Sequence, residues 1–167
     1  MTSRHPPSAP TRPAGGVETN ARAPDPDSPI LRHALQYWLA KAAAAGGVPY
    51  RRDINVIDLK PCMGHMLLLA VAEPIEASRY RVFGTMLVEY FNEELTGEQL
   101  GDIGGAKNRT LIEEYREVVR SGEAMMFVND PVIGKSVFRY EKVALPLKGD
   151  DGGIGYILAV IDQLASG

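Results

Sequence analysis

The sequence predicts an α+β domain: one five-stranded antiparallel sheet with helices on one face, preceded by an N-terminal amphipathic helix. Two segments, 29–45 and 108–121, carry apolar residues at the three-to-four spacing of amphipathic helices. Five apolar segments bounded by turn-forming residues are typical of strands, at 65–72, 80–83, 124–128, 137–147 and 154–161. Their order along the chain is not the strand–helix alternation that builds a parallel sheet.

The first 28 residues differ in composition from the rest of the 167-residue chain. They hold six of its 12 prolines, and Met1 and Val17 are their sizeable apolar residues. Such a segment buries too little surface to offset the entropy that it would lose on ordering. We therefore predict a disordered proline-rich tail over 1–28 and one folded domain over 29–163.

A helix over 29–45 opens the predicted domain. Ser28 is a preferred N-cap residue, and proline at position 29 suits the first turn of a helix. Gly46 provides the expected stop. Trp38 lies in the middle of the apolar stripe, so we predict that it is buried against the sheet or against a second copy of the chain.

Two strands and a short helix follow. Segment 65–72 is apolar on both faces, so both faces of this strand should be covered. The short link to segment 80–83 predicts a hairpin between the two strands. Segment 85–91 then has the pattern of a short helix.

A second long helix is expected to end near Ser121 and Gly122, before the last three strands. Its predicted buried stripe consists of Leu111, Ile112, Tyr115, Val118 and Val119. Its charged side chains are expected to face water; they are Glu113, Glu114, Arg116, Glu117 and Arg120. Turns at 129–131 and 148–153 separate the three strands.

Charge and cysteine content exclude several function classes. The formal net charge is −3, and no cluster of lysine and arginine offers the basic surface that nucleic-acid binding requires. The longest apolar run, 66–72, is too short to cross a bilayer, so no membrane partner is expected. The single cysteine, Cys62, makes no internal disulfide, which fits a cytoplasmic protein.

Side chains for catalysis or metal binding are few. His33 and His65 have no third residue placed to complete a zinc site, so we expect both to be structural or solvated. Cys62 lacks a nucleophile motif around it and is expected to be an inert, buried thiol. The stretch Gly101–Gly105 lacks the Gly-Lys-Ser/Thr ending of a phosphate-binding loop and is expected to be a plain loop.

Two short motifs resemble the signature of a known family. Residues 80–85 (Tyr-Arg-Val-Phe-Gly-Thr) and 94–97 (Glu-Leu-Thr-Gly) are similar to the "YRLVGT … DLTG" signature of a bacterial stand-alone PAS-like sensor family. The pair Tyr37-Trp38 and the pair Pro146-Leu147 fit the same family. The resemblance covers residues 30–163. It implies a sensory or signalling fold with the sheet order 2-1-5-4-3, and it implies no particular ligand.

The chain departs from two cofactor-binding PAS subgroups. Flavin photosensors of the light-oxygen-voltage type carry a cysteine in an Asn-Cys-Arg-Phe-Leu-Gln stretch on a central helix, whereas Cys62 precedes the first strand. Haem-binding PAS domains usually supply a histidine after the second strand, and the sequence has no histidine in 66–167. Neither flavin photochemistry nor this mode of haem binding is expected, and the cofactor stays unknown.

A candidate ligand site lies where a PAS fold forms its cavity, between the sheet and the helices that follow the second strand. Tyrosine joins an apolar body to a hydroxyl group, and methionine adapts to irregular shapes. Such residues either line a cavity for a mostly apolar small molecule with one polar end or fill an ordinary core. The candidate residues are Met86, Tyr90, Phe91, Leu111, Tyr115, Met125 and Phe127.

Three functions are compatible with these observations. The first is a non-enzymatic sensory domain that binds a small ligand or a protein partner. The second is a dimerisation or interaction module whose core is filled, and the third is a small α+β enzyme. We expect no enzyme, because no Asp, Glu or His has an evident pocket position. Output is expected to pass through a protein partner or self-association at helix 29–45.

Overall fold

An antiparallel sheet forms the centre of the computed structural model, which describes residues 21–22, 24–103 and 107–165. The main sheet consists of β1 (Ala21–Arg22), β2 (Met66–Ala70), β3 (Arg79–Phe83), β4 (Met125–Asn129), β7 (Tyr140–Lys148) and β8 (Ile154–Gln163), and a separate hairpin pairs β5 (Val132–Ile133) with β6 (Ser136–Val137). The α-helices are α1 (Pro29–Ala45), α2 (Thr85–Phe91) and α3 (Lys107–Ser121). Short 3-10 segments lie at Arg51–Asp53, Val56–His65, Ile75–Ala77 and Leu100–Asp102.

The five long strands lie in the order β3-β2-β8-β7-β4, and every neighbouring pair is antiparallel. Numbered along the chain, this is the predicted order 2-1-5-4-3, so the predicted fold class is confirmed. The two-residue strand β1 extends the sheet beyond β4. The first and last long strands in the chain, β2 and β8, are therefore direct neighbours near the middle of the sheet.

Both faces of the sheet are buried, as the apolar character of the first long strand predicted. On one face, α1 and the 56–65 segment pack against alternate residues of the strands, including Val143, Leu145 and Leu158. On the other face, α2 and α3 pack against the intervening residues, including Ala144 and Ile157. Because side chains alternate along a strand, β7 and β8 contribute to two separate apolar layers.

Helix α1 has the boundaries that the sequence predicted, because its two ends are capped as expected. The Ser28 hydroxyl accepts hydrogen bonds from the Ile30 and Leu31 amides, and Gly46 ends the helix in the left-handed conformation at φ 71°. Trp38 is 7% exposed, and its indole Nε1–H donates to the Pro146 carbonyl at 2.8 Å.

Within the described part of the chain, no helix combines the length and the apolar character of a membrane-crossing segment.

The segment after β4 differs from the sequence-based expectation. A single strand was expected over 137–147, but β6 ends at Val137 and β7 begins at Tyr140. The expected turn at 129–131 leads into the β5–β6 hairpin, whose chain reversal contains Gly134 at φ 62°. The reversal is possible because glycine adopts positive φ without a steric penalty.

The predicted tail, 1–28, lies largely outside the described residues, which begin with 21–22 and continue from residue 24. Its last part contacts the sheet. Strand β1 pairs with β4, and the amides of Asp27 and Ser28 donate to the buried Glu141 carboxylate at 3.1 and 2.6 Å. Main-chain contacts with the sheet therefore begin before α1.

Gly84, which ends the Tyr-Arg-Val-Phe-Gly stretch, is a point of close main-chain approach. It is the N-cap of α2, and a Cβ atom there would meet the carbonyl oxygens of Gly64 and Met63, the latter at 3.0 Å. Any larger residue would push the 3-10 segment away from α2. The motif's glycine thus has a packing reason in this fold.

Replacement of Trp38 by alanine is expected to lower the free energy of unfolding by about 3–5 kcal/mol, because it removes a buried side chain and leaves a cavity. The matched control is Leu39→Ala on the same helix, since Leu39 is 50% exposed. That change is expected to cost within about 0.5 kcal/mol. Urea denaturation followed by circular dichroism measures both, and equal losses would contradict the assignment of Trp38 to the core.

Candidate functional site

A cavity of about 500 Å³ lies between the sheet and α3. Its wall is completed by the chain after α2 and by the segment that carries the β5–β6 hairpin. The lining residues are Leu67, Tyr80, Phe83, Phe91, Glu93, Leu95, Ile103, Thr110, Leu111, Tyr115, Asn129, Asp130, Pro131, Val132, Ile133, Gly134, Tyr140, Lys142 and Ile161. On the α1 side of the sheet, the second void measures about 30 Å³, the space of a water molecule or two.

Most of the cavity wall is apolar, but its deepest part is polar. Tyr80, Tyr115, Asn129, Tyr140 and Lys142 are the polar residues of this part of the wall. The tyrosines and the lysine are at most 5% exposed. Glu93 and Asp130, by contrast, are exposed and mark the mouth of the cavity.

Strand alternation places Lys142 in this wall. On β7, Tyr140 and Ala144 face the α3 layer, and Lys142 between them shares that face. Its strand neighbours are Phe127 on β4 and Ile161 on β8, both buried. The ammonium is therefore inside the domain with no exposed surface.

Glu114 on α3 neutralises Lys142. The Lys142 Nζ lies 2.8 Å from the Glu114 Oε1, and neither side chain has any exposed surface. The Asn129 side-chain amide donates to the same carboxylate at 3.0 Å from Oε2. Removing one partner of such a buried pair costs far more than the pair itself contributes, so the two charges are committed to each other.

Aromatic rings complete the surroundings of the ammonium. The Lys142 Nζ lies 4.5 Å from the centroid of the Tyr115 ring and 5.5 Å from that of Phe127. These are cation–π distances. The hydroxyl groups of Tyr80 and Tyr115 lie close enough to affect each other's pKa, and the Asn129 amide affects the pKa of Tyr140 in the same way. The polar groups of this wall are thus neighbours, and Lys142, Glu114 and Asn129 are joined by hydrogen bonds.

The pKa of every titratable group in this polar part of the wall is shifted, and burial is the main cause for the tyrosines. Desolvation is the main cause that raises the pKa of Tyr80 and Tyr115, and it raises the pKa of Tyr140 to about 12. Burial by itself would lower the pKa of Lys142. The Glu114 carboxylate reverses this effect, so the pKa of Lys142 is raised. The lysine is therefore charged and the tyrosines are neutral hydrogen-bond donors at neutral pH.

Three of the seven residues predicted from the sequence line the cavity: Phe91, Leu111 and Tyr115. The other four lie elsewhere. Met86 packs near Gly64, and Met125 contacts Ser121 at the end of α3. Tyr90 donates to Asp162 at 3.2 Å, outside the cavity. Phe127 packs in the same layer beside Lys142, its neighbour on the adjacent strand, but does not line the cavity.

The charged pair was missed by sequence reasoning, and the expectation that Glu114 faces water is wrong. Glu114 follows Leu111 by three residues and precedes Val118 by four, which places it on the inner face of α3. Leu111, Ile112 and Val119, expected to be buried, are only partly so. Both charges could have been found from their position in the sequence pattern. Glu114 falls on the apolar face of a helix, and Lys142 alternates with inward-facing residues of an apolar strand.

Other candidate side chains lie apart from the cavity. Cys62 is buried in the α1 layer, where desolvation raises the pKa of its thiol to about 11. His65 Nδ1 hydrogen-bonds to the Ile161 carbonyl at 3.0 Å, and His33 Nε2 to that of Asp58 at 2.8 Å. In the described part of the chain, no three His, Cys, Asp or Glu residues are grouped as a metal site. Residues 104 and 105 of the glycine-rich stretch lie outside the described residues.

The sequence over residues 27–161 matches the family model described as PAS domain. This chain belongs to the PAS domain family. Among solved structures, this PAS domain is similar to a light-oxygen-voltage domain from work on a flavin analogue, at 14% identity, with a TM-score of 0.51, over 66% of this chain and 84% of that one. It also resembles the PAS domain from Bordetella pertussis BvgS, at 11% identity, with a TM-score of 0.42, over 79% and 89% of the two chains. No curated protein matches this PAS domain.

The family assignment confirms the PAS-like domain that the short motifs predicted, and the fold fits a sensory signalling domain. At these low identities the structural likeness concerns the fold alone. The chemistry of the site therefore depends on the side chains of this PAS domain itself.

Alkaline pH is expected to unfold this PAS domain before its buried tyrosines ionise. In the unfolded chain tyrosines titrate near pH 10, whereas burial raises the pKa of Tyr80, Tyr115 and Tyr140 in the folded domain. Above about pH 10 the unfolded chain releases protons that the folded domain keeps, so the free energy of unfolding falls as pH rises. The contribution of Lys142 is likewise lost as pH rises through its raised pKa.

A titration of tyrosinate absorbance, with circular dichroism at each pH, measures this behaviour. The chain has seven tyrosines, and the three buried ones should ionise together with the loss of secondary structure. Tyr140→Phe should remove one of these late ionisations. Smooth ionisation of all seven tyrosines in a folded domain would contradict the buried network.

Proposed function

We propose that this PAS domain is a non-enzymatic sensory domain that binds a small molecule in the cavity beneath α3 and passes its binding state to helix α1. The observation that carries the proposal is the volume of about 500 Å³ beside the polar wall. Small-molecule sites usually occupy about 300–1,000 Å³, with mostly apolar walls and a few placed polar groups. Both properties favour ligand binding over an interaction module with a filled core.

The arrangement of carboxylates favours binding over acid–base catalysis. Glu114 lies behind the wall and already accepts hydrogen bonds from Lys142 and Asn129. A general base needs to reach the proton that it removes from a substrate. Glu93 and Asp130 are at the exposed mouth, where solvent competes for their hydrogen bonds. Recognition is therefore the chemistry that this wall supports best.

The position of Cys62 separates the proposal from thiol-based photochemistry. The thiol belongs to the α1 layer, on the opposite face of the sheet from the cavity. A ligand in the cavity would have the whole sheet between itself and this sulfur. The proposal therefore includes no bond between the ligand and a cysteine, and it assigns neither flavin nor haem.

A chain of aromatic contacts leads out of the cavity. Phe91 and Tyr140, both in its wall, pack edge to face at 5.4 Å between ring centroids. Each also contacts Phe138, at 5.6 and 5.7 Å. Phe138 in turn packs against Tyr90 at 4.9 Å. A ligand that moves Phe91 or Tyr140 would therefore move Tyr90.

Hydrogen bonds continue this path to α1. The Tyr90 hydroxyl donates to the Asp162 carboxylate at 3.2 Å, and the Ser28 hydroxyl donates to the other oxygen of Asp162 at 2.7 Å. The Ser28 hydroxyl also caps α1. The cavity and the first turn of α1 are thus joined through side chains at the ends of α2 and β8, which is a physical route for coupling.

The receiving element in this proposal is the outer face of α1. Its inner face is occupied by the sheet, so a protein partner or a second copy of the chain would use the opposite side. Leu39 is half exposed there. Association of α1 with a partner would then depend on whether Ser28 caps the first turn of the helix.

Cavity filling tests ligand binding. In Leu111→Trp, a larger side chain would occupy part of the cavity, whereas Leu39→Trp places the same residue on the outside of α1. A small-molecule extract of the expression host should raise the melting temperature of the wild type and of Leu39→Trp, but not of Leu111→Trp. Native mass spectrometry then identifies the bound molecule. An extract that stabilises all three proteins equally, or none, would contradict the proposed site.

Removal of the Tyr90 hydroxyl tests the route to α1. Tyr90→Phe keeps the ring contacts and deletes the hydrogen bond to Asp162, so the first turn of α1 should open more easily by about 0.5–1.5 kcal/mol. Hydrogen exchange of the amides at 30–34 measures this change. Tyr156→Phe, in the α1 layer, is the control and should leave those amides unchanged. Identical exchange in both variants would argue against the route.

A further inference from the structure

We propose that the β5–β6 hairpin is a lid that closes over the cavity when the cavity is occupied. This inference rests on the proposed function, since it names the movement by which binding at the same site would be registered. It adds a moving element to the route toward α1, because the hairpin leads directly into Phe138.

The hairpin borders the opening of the cavity. Residues 131–134 line the cavity, and Asp130 before them lies at its mouth. Ile133 is partly buried, whereas Val132 is 58% exposed although it belongs to the same lining. The hairpin therefore faces the cavity with one part and water with the other, as expected of an element at the rim.

An exposed apolar pair marks the surface that closure would cover. Val132 is the cross-strand partner of Val137, and the side chains of such a pair lie on the same side of a hairpin. Val137 is 66% exposed and does not line the cavity. Because Val132 belongs to the lining, a movement of the hairpin into the cavity mouth would remove both valines from water.

The stability of the hairpin depends on what lies beneath it. Its strands have two residues each and form a sheet that is separate from the main sheet. An isolated two-stranded hairpin is marginally stable in water and needs a surface to pack against. Val132 and Ile133 face a cavity of about 500 Å³ where a filled core would supply that surface. A molecule in this space would supply it instead, so occupancy favours the closed hairpin.

Phe138 connects the lid to the aromatic contacts that lead toward α1. Its amide donates to the Pro131 carbonyl at 2.9 Å, which closes the base of the hairpin. Its ring contacts Tyr90, Phe91 and Tyr140. A closing movement pivots on this base and shifts the Phe138 ring. The lid thus gives the route to α1 an input that depends on occupancy of the cavity.

A side chain that fills the cavity tests the lid without an identified ligand. In Leu111→Trp the larger side chain takes the place of the occupant, and Leu39→Trp is the matched control on the outside of α1. Hydrogen exchange of the amides at 132–137 in the full-length chain should be at least about threefold slower in Leu111→Trp than in the wild type, and unchanged in Leu39→Trp. The amides of β2 report global unfolding and should not show the same change.

Equal or faster exchange at 132–137 in folded Leu111→Trp would overturn the lid. The proposed function is decided separately, by whether the small-molecule extract stabilises the wild type and Leu39→Trp. If circular dichroism shows that Leu111→Trp is unfolded, Leu111→Phe makes the same test with a smaller side chain.

Val137→Thr in the Leu111→Trp chain tests whether the valine pair drives closure. Threonine keeps the branched shape of valine and its preference for strands, but it is more polar. Because Val137 does not line the cavity, a fixed hairpin predicts no effect, whereas a closing hairpin should lose about threefold of its protection. The same change in the wild-type chain should alter exchange less, since its hairpin is open more often.

The control is Val82→Thr in the same Leu111→Trp chain. Val82 is 41% exposed on β3 and lies outside the cavity lining, so exchange at 132–137 should stay unchanged. Loss of protection in both double variants, or in neither, would overturn the lid.

Discussion

The burial of an ammonium in the middle of the sheet constrains much of this structure. Lys142 has no exposed surface, so its charge requires a partner within the domain. Glu114 meets this requirement only because α3 packs across β7 with the Glu114 side chain directed toward the sheet. The pair therefore ties the helix to the strand and brings Tyr115, the next residue on α3, against the ammonium. It also places a polar network where an ordinary core would be filled by apolar side chains.

The same sheet serves two layers that are chemically different. The α1 layer is apolar and closely filled, with a void of about 30 Å³, whereas a cavity of about 500 Å³ opens in the α3 layer. Alternate residues of β7 face these two layers, so a change in one is separated from the other by the main chain. Communication between them is simplest at the strand ends, where Glu141 and Asp162 bind the residues before α1.

Sequence reasoning located the elements better than the site. Helix α1 was predictable from Ser28 and Gly46, because capping is decided by neighbouring residues. Phe91, Leu111 and Tyr115 were placed in the cavity wall, while Met86 and Met125 were not found there. The hydropathy pattern shows which residues of a helix or strand are buried, but it does not show which neighbours they contact. The hairpin β5–β6 was missed because its reversal at Gly134 depends on a few local torsion angles.

The sequence by itself indicated the order of helices and strands, the antiparallel sheet, the two-sided burial of its first long strand and the resemblance to PAS domains. These follow from periodicity, capping and short motifs, which are local properties. The tertiary structure alone decided that Glu114 and Lys142 are inside and paired. The hydropathy pattern predicts that a single charged residue is exposed to solvent. Lys142 is buried instead, because a second charge, 28 positions away in the sequence, lies on the element that faces it. The energy of that pair depends on a distance between elements, which no local pattern contains.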